Sequence, residues 1–122
     1  MIDGAMSGVG EVKEPIRVEI KEGKAISFSG KEEAKKLQEI FADQPELARN
    51  IAEFGIGTNS SARIIGNVLE DEKVKGTVHI ALGNNAHFGG KVDVPLHLDG
   101  IIKNPSFWVD DELIMKEGKF EI

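Results

Sequence analysis

Short runs of alternating apolar and polar residues, separated by turns that contain glycine, constrain the fold of this chain most strongly. Ile16, Val18 and Ile20 alternate with charged residues, and Glu22-Gly23 separates this run from a second apolar run at 25–28. A period of two is typical of half-buried strands, and the turn between the two runs predicts a hairpin. Similar runs at 107–109, 113–115 and 119–122 predict a three-stranded meander.

One long segment has helical spacing instead. Apolar residues recur at intervals of three and four from Ala34 to Phe41, which predicts an amphipathic helix, and Ser29-Gly30-Lys31-Glu32 fits a capping box at its start. Pro45 suits the first turn of a second, shorter helix that runs toward Ile51. The fold class expected from these patterns is α+β: strand-dominated, with an antiparallel or mixed sheet, one main helix and a short second helix.

The composition excludes several classes of function. A net charge of −6, with 15 Lys and Arg interspersed among 21 Asp and Glu, argues against a nucleic-acid partner. Cysteine is absent, which removes disulfides, thiolate nucleophiles and cysteine-based zinc sites. No apolar run approaches the roughly 20 residues that span a membrane, and the first residues do not resemble a secretory signal. We therefore expect no membrane partner and a cytoplasmic location.

All three histidines fall within one region, at 79, 87 and 97. The segment 92–102 is predicted to be extended despite Pro95. His97 and Asp99 are two residues apart within it, so their side chains point to the same face and can reach one cation. His79 lies on the strand face opposite Val78 and its apolar neighbours. These residues are either ligands of a zinc, cobalt, manganese or ferrous ion, or hydrogen-bonded structural histidines.

Two further residues are weaker candidates for the same site. Glu53 ends a predicted helical stretch and precedes two glycines that let the backbone approach a ligand, although a solvated surface Glu is the usual outcome for such a residue. His87 lies on a loop bounded by glycines, where it is either a mobile site residue or an exposed histidine. The acidic run Glu70-Asp71-Glu72 is interpreted as a solvated helix face and has no assigned role.

Five segments between about residues 47 and 102 follow one another in the order and approximate spacing of a known family. They are Glu53, Asn67-Val68-Leu69-Glu70-Asp71-Glu72, His79-Ile80-Ala81-Leu82-Gly83, Gly89-Gly90 and His97-Leu98-Asp99. The arrangement resembles the aminopeptidase T and aminopeptidase S group of leucyl-aminopeptidase-like metallopeptidases.

That resemblance implies a metal-dependent aminopeptidase that hydrolyses N-terminal peptide bonds with a dinuclear metal centre. Glu53, His79, His97 and Asp99 inherit the ligand roles, with divalent zinc, cobalt or manganese ions, up to two per site, as cofactors. The expected partners are a peptide substrate and a second copy in a homodimer. Residues 1–122 then form a single domain that corresponds to the C-terminal, ligand-bearing part of a larger metallopeptidase, with an N-terminal domain missing.

The chain departs from this family in two places. The family has a Tyr a few residues after its first His, whereas this chain has no tyrosine. Ala86 falls near that place, and the neighbouring His87 is therefore a replacement ligand candidate. The family also has an upstream Gly-Glu-Val segment, and Gly10-Glu11-Val12 matches its letters but stands too close to Glu53.

Two other functions stay open. Two His and one carboxylate also match the facial triad of non-haem ferrous oxygenases, and a ring-cleaving dihydroxypyridine dioxygenase is similar to this peptidase family in its His and His-x-Asp segments. Glu53 favours the hydrolase, and the number and type of bound ions would separate the two. The third hypothesis is a non-catalytic dimerisation or scaffold module in which strands such as 107–109 pair between subunits.

Overall fold

The computed structural model describes residues 1–122 and contains ten short strands with one main helix. This confirms the expected strand-dominated α+β class. The strands are β1 (Ala5–Met6), β2 (Gly10–Glu11), β3 (Arg17–Lys21), β4 (Lys24–Ser29), β5 (Ile51–Ile56), β6 (Val78–Gly83), β7 (His97–Ile102), β8 (Phe107–Val109), β9 (Glu112–Lys116) and β10 (Lys119–Phe120). The helices are α1 (Glu32–Ala42), α2 (Val68–Asp71) and two 3-10 turns at Glu46–Arg49 and Ala86–Phe88.

The strands form three separate sheets. The largest has five strands in the order β2-β1-β7-β6-β5, and all of its pairings are antiparallel. The hairpin β3-β4 and the meander β10-β9-β8 form the two smaller sheets, as the alternating runs and their turns predict. The three longest strands of the large sheet, β5, β6 and β7, are neighbours, and they present the histidines and their carboxylates.

The core lies between α1, the β3-β4 hairpin and the apolar face of the large sheet. Ala34, Leu37 and Phe41 form the buried stripe of α1, which confirms the helical spacing. The rings of Phe28 and Phe41 stack with centroids 5.1 Å apart, and Leu82 of β6 joins the same cluster. One face of β6 therefore packs against the core, and the side chains on its other face are free to form a site.

Three local expectations were wrong. Ser29 does not cap α1, because it ends β4 and pairs with Arg17, and the N-cap residue Lys31 makes no side-chain cap bond. The first part of the segment predicted to be extended, 92–96, is not strand, since β7 begins only at His97. The short second helix is present at Glu46–Arg49, but Glu53 does not end it, because Glu53 belongs to β5. No helix here has the length and apolar character needed to span a membrane.

Candidate metal centre

The register of β5, β6 and β7 places four polar side chains on one face of the sheet. Ala81 of β6 lies opposite Glu53 on one side and Asp99 on the other. Because directly paired residues share a face, and residues two apart on a strand share it too, His79 and His97 project on the same side. Ala81, fully buried and small, leaves space at the centre of this group.

Glu53 connects the two imidazoles. Its Oε1 lies 3.2 Å from Nε2 of His79, and its Oε2 lies 3.2 Å from Nε2 of His97. Glu53 reaches this position because it lies within edge strand β5 rather than at the end of a helix, as the sequence had suggested. A carboxylate between two imidazoles can share a proton or a cation with both rings.

The tautomer of His97 favours a cation at Nε2. Nδ1 lies 2.7 Å from the carbonyl oxygen of Asn84, which can only accept a hydrogen bond, so Nδ1 bears a proton. In the neutral ring, Nε2 then presents a lone pair to the Glu53 carboxylate. Two electron-rich atoms 3.2 Å apart repel each other unless a proton or a metal ion lies between them. The Nε2 atom of His97 is therefore suited to hold a proton or a metal ion against Glu53.

His79 lies deeper, with 9% of its surface exposed. Its ring lies against Gly55, the residue directly opposite on β5, and a Cβ at position 55 would overlap the ring. Nδ1 of His79 is buried and has no hydrogen-bond partner. Such an atom is costly in a folded protein, which indicates that a group outside the described contacts satisfies it in the functional state.

Asp99 is a second carboxylate, and it lies close to the rings of both His97 and His79. Its Oδ2 lies 3.7 Å from Nε2 of His97, whereas its Oδ1 is buried without a partner. Burial raises the pKa of the Asp99 carboxyl, the facing His97 opposes this shift, and the nearby Glu53 and Glu72 carboxylates raise the pKa further. A bound cation would remove this electrostatic penalty by compensating the clustered negative charge.

Glu72 is a further candidate residue of this site, to which the sequence assigned no role. Glu53, His97 and Asp99 form one group whose candidate ligand atoms lie within 4.8 Å of one another, and Glu72, His79 and Asp99 form a second. The acidic run to which Glu72 belongs has the appearance of a solvated helix face. Only the packing of α2 beside the sheet brings Glu72 to the site, so no local signal identifies it.

The residues present fit a metal ion. Ligand atoms bound about 2.1 Å from one ion lie about 3 Å apart at a right angle and about 4.2 Å apart across it. The separations of 3.2 and 3.7 Å between imidazole nitrogens and carboxylate oxygens fall within that range. Imidazole and carboxylate donors, with no thiolate, suit borderline divalent cations such as ferrous iron, zinc, cobalt and manganese.

His87 is not part of either group. It lies in the 3-10 turn between β6 and β7 and is exposed to solvent. The structure thus brings Glu53, His79, His97 and Asp99 together, adds Glu72, and leaves His87 outside.

Fold and site together define a candidate metalloprotein whose imidazole and carboxylate donors lie on one face of an antiparallel sheet. The family model for NicX, 2,5-dihydroxypyridine 5,6-dioxygenase, matches residues 9–122. The chain therefore belongs to the NicX family. No curated protein sequence matches the chain at a significant level.

A solved structure of 2,5-dihydroxypyridine dioxygenase from Pseudomonas putida KT2440 has the same fold. It superposes with a TM-score of 0.81 at 23% sequence identity and covers 98% of this chain. The chain spans 38% of the length of that structure.

These comparisons correct the functional assignment made from sequence. Assignment to the aminopeptidase T and S family, and with it the aminopeptidase, hydrolase and protease activity, was wrong, because the matching family is that of a dioxygenase. The ring-cleaving dioxygenase stated as the alternative agrees better with the family. The expected peptide substrate depended on the peptidase resemblance alone.

Proposed function

We propose that this chain is the metal-binding part of a ring-cleaving dioxygenase that acts on a dihydroxylated pyridine. One observation supports this proposal most: Glu53 lies 3.2 Å from both His79 and His97, and Asp99 lies beside His97, in a chain of the NicX family. Non-haem ferrous oxygenases bind iron through two His and one carboxylate and leave coordination positions open for substrate and O2. This site offers both His and adds a second carboxylate to that set. The site and the family therefore favour the same chemistry.

The proposed ligands are Nε2 of His79, Nε2 of His97, and the carboxylates of Glu53 and Asp99, around one ferrous ion. When bound, that ion supplies the redox chemistry that lets O2 react with an electron-rich ring. The hydrogen bond from His97 to the Asn84 carbonyl fixes the tautomer that presents Nε2. His87 has no role in this proposal, because it lies outside both donor groups.

In the reaction for which the family is named, the ring and one O2 account for all the atoms and electrons. The bond between ring carbons 5 and 6 breaks, both atoms of one O2 enter the product, and the ring supplies the electrons that reduce O2. No further reductant is consumed. The protein must therefore hold the ring beside the ion and limit access of water, and the half-buried sheet face around Ala81 offers such a surface.

A direct test uses the chain loaded with Fe(II) without oxygen and then mixed with 2,5-dihydroxypyridine and O2. We expect one O2 to be consumed per ring lost, and no release of p-nitroaniline from leucine p-nitroanilide by the zinc- or cobalt-loaded chain. His97→Ala and Asp99→Ala should lose both iron and activity. The proposal fails if the wild type binds no iron, or if both variants retain as much iron as the wild type.

The expected homodimer remains a proposal. β8 is an edge strand of its sheet, and Trp108 and Val109 on it are 59% and 55% exposed. Such an edge can pair with a second copy. Sedimentation of the wild type beside Trp108→Ser tests this: we expect a dimer that the substitution weakens, and a wild-type monomer at all concentrations would exclude it.

A further inference from the structure

The two imidazoles of the site differ in the partner of the ring nitrogen that faces away from Glu53. His97 has the Asn84 carbonyl oxygen 2.7 Å from Nδ1, while Nδ1 of His79 is buried without any partner. An imidazole that binds a metal through Nε2 bears its proton on Nδ1, and metal-bound histidines donate that proton to a carboxylate, a carbonyl or water. His79 thus needs an acceptor that the described contacts do not supply.

Glu72 is placed to be that acceptor. One of its carboxylate oxygens lies within 4.8 Å of a ring nitrogen of His79 and of an Asp99 carboxylate oxygen. Its Oε1 accepts a bond from Nζ of Lys73 at 2.8 Å, and Oε2 makes no hydrogen bond within the chain. The gap can be closed by a small side-chain rotation or bridged by one water molecule.

The position of Glu72 is fixed by the residues around it. Asp71, fully buried, accepts hydrogen bonds from the amides of Ile65 and Gly66, at 2.8 and 3.1 Å. Asn67 caps the start of α2 by accepting from the amide of Leu69. Glu72 follows directly after α2 and has only 22% of its side chain exposed. Within the acidic run, Asp71 therefore anchors the segment, whereas Glu72 faces the site.

We propose that Glu72 is a positioning residue, which accepts a hydrogen bond from Nδ1 of His79 and so keeps Nε2 of His79 available to the metal. The inference rests on the proposed function, since it presumes a metal at Nε2. Asp99 Oδ1 is the competing acceptor, because it is also buried without a partner. The alternative role for Glu72 is that of a metal ligand, which would bind a cation directly together with His79 and Asp99.

The test combines zinc titration with 15N NMR of the histidine rings in the full chain. Zinc is a suitable probe because it binds the same donors and is diamagnetic. In the zinc-loaded wild type we expect one ion per chain, with the proton of His79 on Nδ1. Glu72→Leu should weaken zinc binding about 10- to 100-fold and allow the metal-free His79 ring to populate both tautomers. Glu72→Gln, whose amide oxygen can still accept, should restore most of the affinity.

Glu70→Leu is the matched control, because Glu70 lies in α2 but its Oε1 accepts from the amide of Arg63 rather than facing the imidazole. It should leave zinc affinity and the His79 signals unchanged. An unchanged tautomer in Glu72→Leu would assign the acceptor role to Asp99 and overturn the inference. Two zinc ions in the wild type and one in Glu72→Leu would make Glu72 a ligand and overturn it as well.

Three further outcomes distinguish failure of the inference from failure of the proposed function. A wild-type His79 ring with its proton on Nε2 would refute the role of Glu72 without any variant, so failure of Glu72→Leu to fold does not protect the inference. Zinc binding that depends on His97 but not on Glu72 would leave the proposed function intact. No zinc binding by the wild type would refute both.

Discussion

Gly55→Ala should disturb the metal site by changing the packing around His79, because Gly55 is not itself a ligand. A Cβ at this position would overlap the imidazole of His79. That side chain cannot move freely aside, because His79 is only 9% exposed. Forcing an extra methyl into a packed site costs about 1–3 kcal/mol. For a domain of this size that corresponds to a fall in Tm of about 4–12 °C. Displacement of Nε2 should also weaken metal binding about 10- to 100-fold, the loss typical when a residue that orients a metal ligand is removed.

Gly23→Ala is the control for backbone and stability effects. Gly23 has a φ of +76° in the β3-β4 turn, and a Cβ there would contact nothing. Its left-handed conformation should cost about 1 kcal/mol with alanine, while zinc affinity stays at the wild-type value. Thermal unfolding and zinc titration of both variants separate the two effects. Equal zinc affinity in Gly55→Ala and Gly23→Ala would refute the argument that Gly55 makes room for the His79 ligand.

Three other predictions concern the scaffold. Leu37→Ala removes a fully buried side chain and should cost about 2–5 kcal/mol in urea unfolding, whereas the half-exposed Leu47→Ala should change stability by less than about 0.5 kcal/mol; similar losses would contradict the core assignment. Asp71→Asn replaces an acceptor of two backbone amides, so we expect a loss of about 1–3 kcal/mol, and an unchanged Tm would argue against its anchoring role. Hydrogen bonds from its own amide and from that of Lys13 lower the pKa of Glu33, so its stabilising effect should be present above the pKa of the unfolded chain and vanish as pH falls through the folded pKa. Glu33→Gln should therefore be less stable than the wild type near neutral pH and equal to it in acid, and a pH-independent difference would show that ionisation is not the cause.

Local patterns predicted the parts of the fold that depend on short-range periodicity. The stripe from Ala34 to Phe41 defines α1, and the hairpin follows from alternation around Glu22-Gly23. His97 and Asp99 were expected to share a face, and their 3.7 Å separation agrees with that expectation. These features need only the geometry of a strand or a helix.

The remaining features depend on contacts that are distant in sequence. Glu53 was assigned to the end of a helix because the signal after Pro45 has no clear end, but pairing with Ala81 of β6 makes it a strand residue. Glu72 had no role in sequence because an acidic run is usually solvated, and only the docking of α2 gives it neighbours. The choice between peptidase and dioxygenase could not come from the ligands, because the His and His-x-Asp segments suit both chemistries.

Anomalous X-ray diffraction from crystals of the Fe(II)-loaded chain, recorded at the iron edge, can locate the metal between the proposed ligands. We expect one iron peak per chain, about 2.1 Å from Nε2 of both His79 and His97, with carboxylate oxygens of Glu53 and Asp99 at similar distances. A peak that touches only one of the two imidazoles, or no peak within this group at saturating iron, would contradict this expectation.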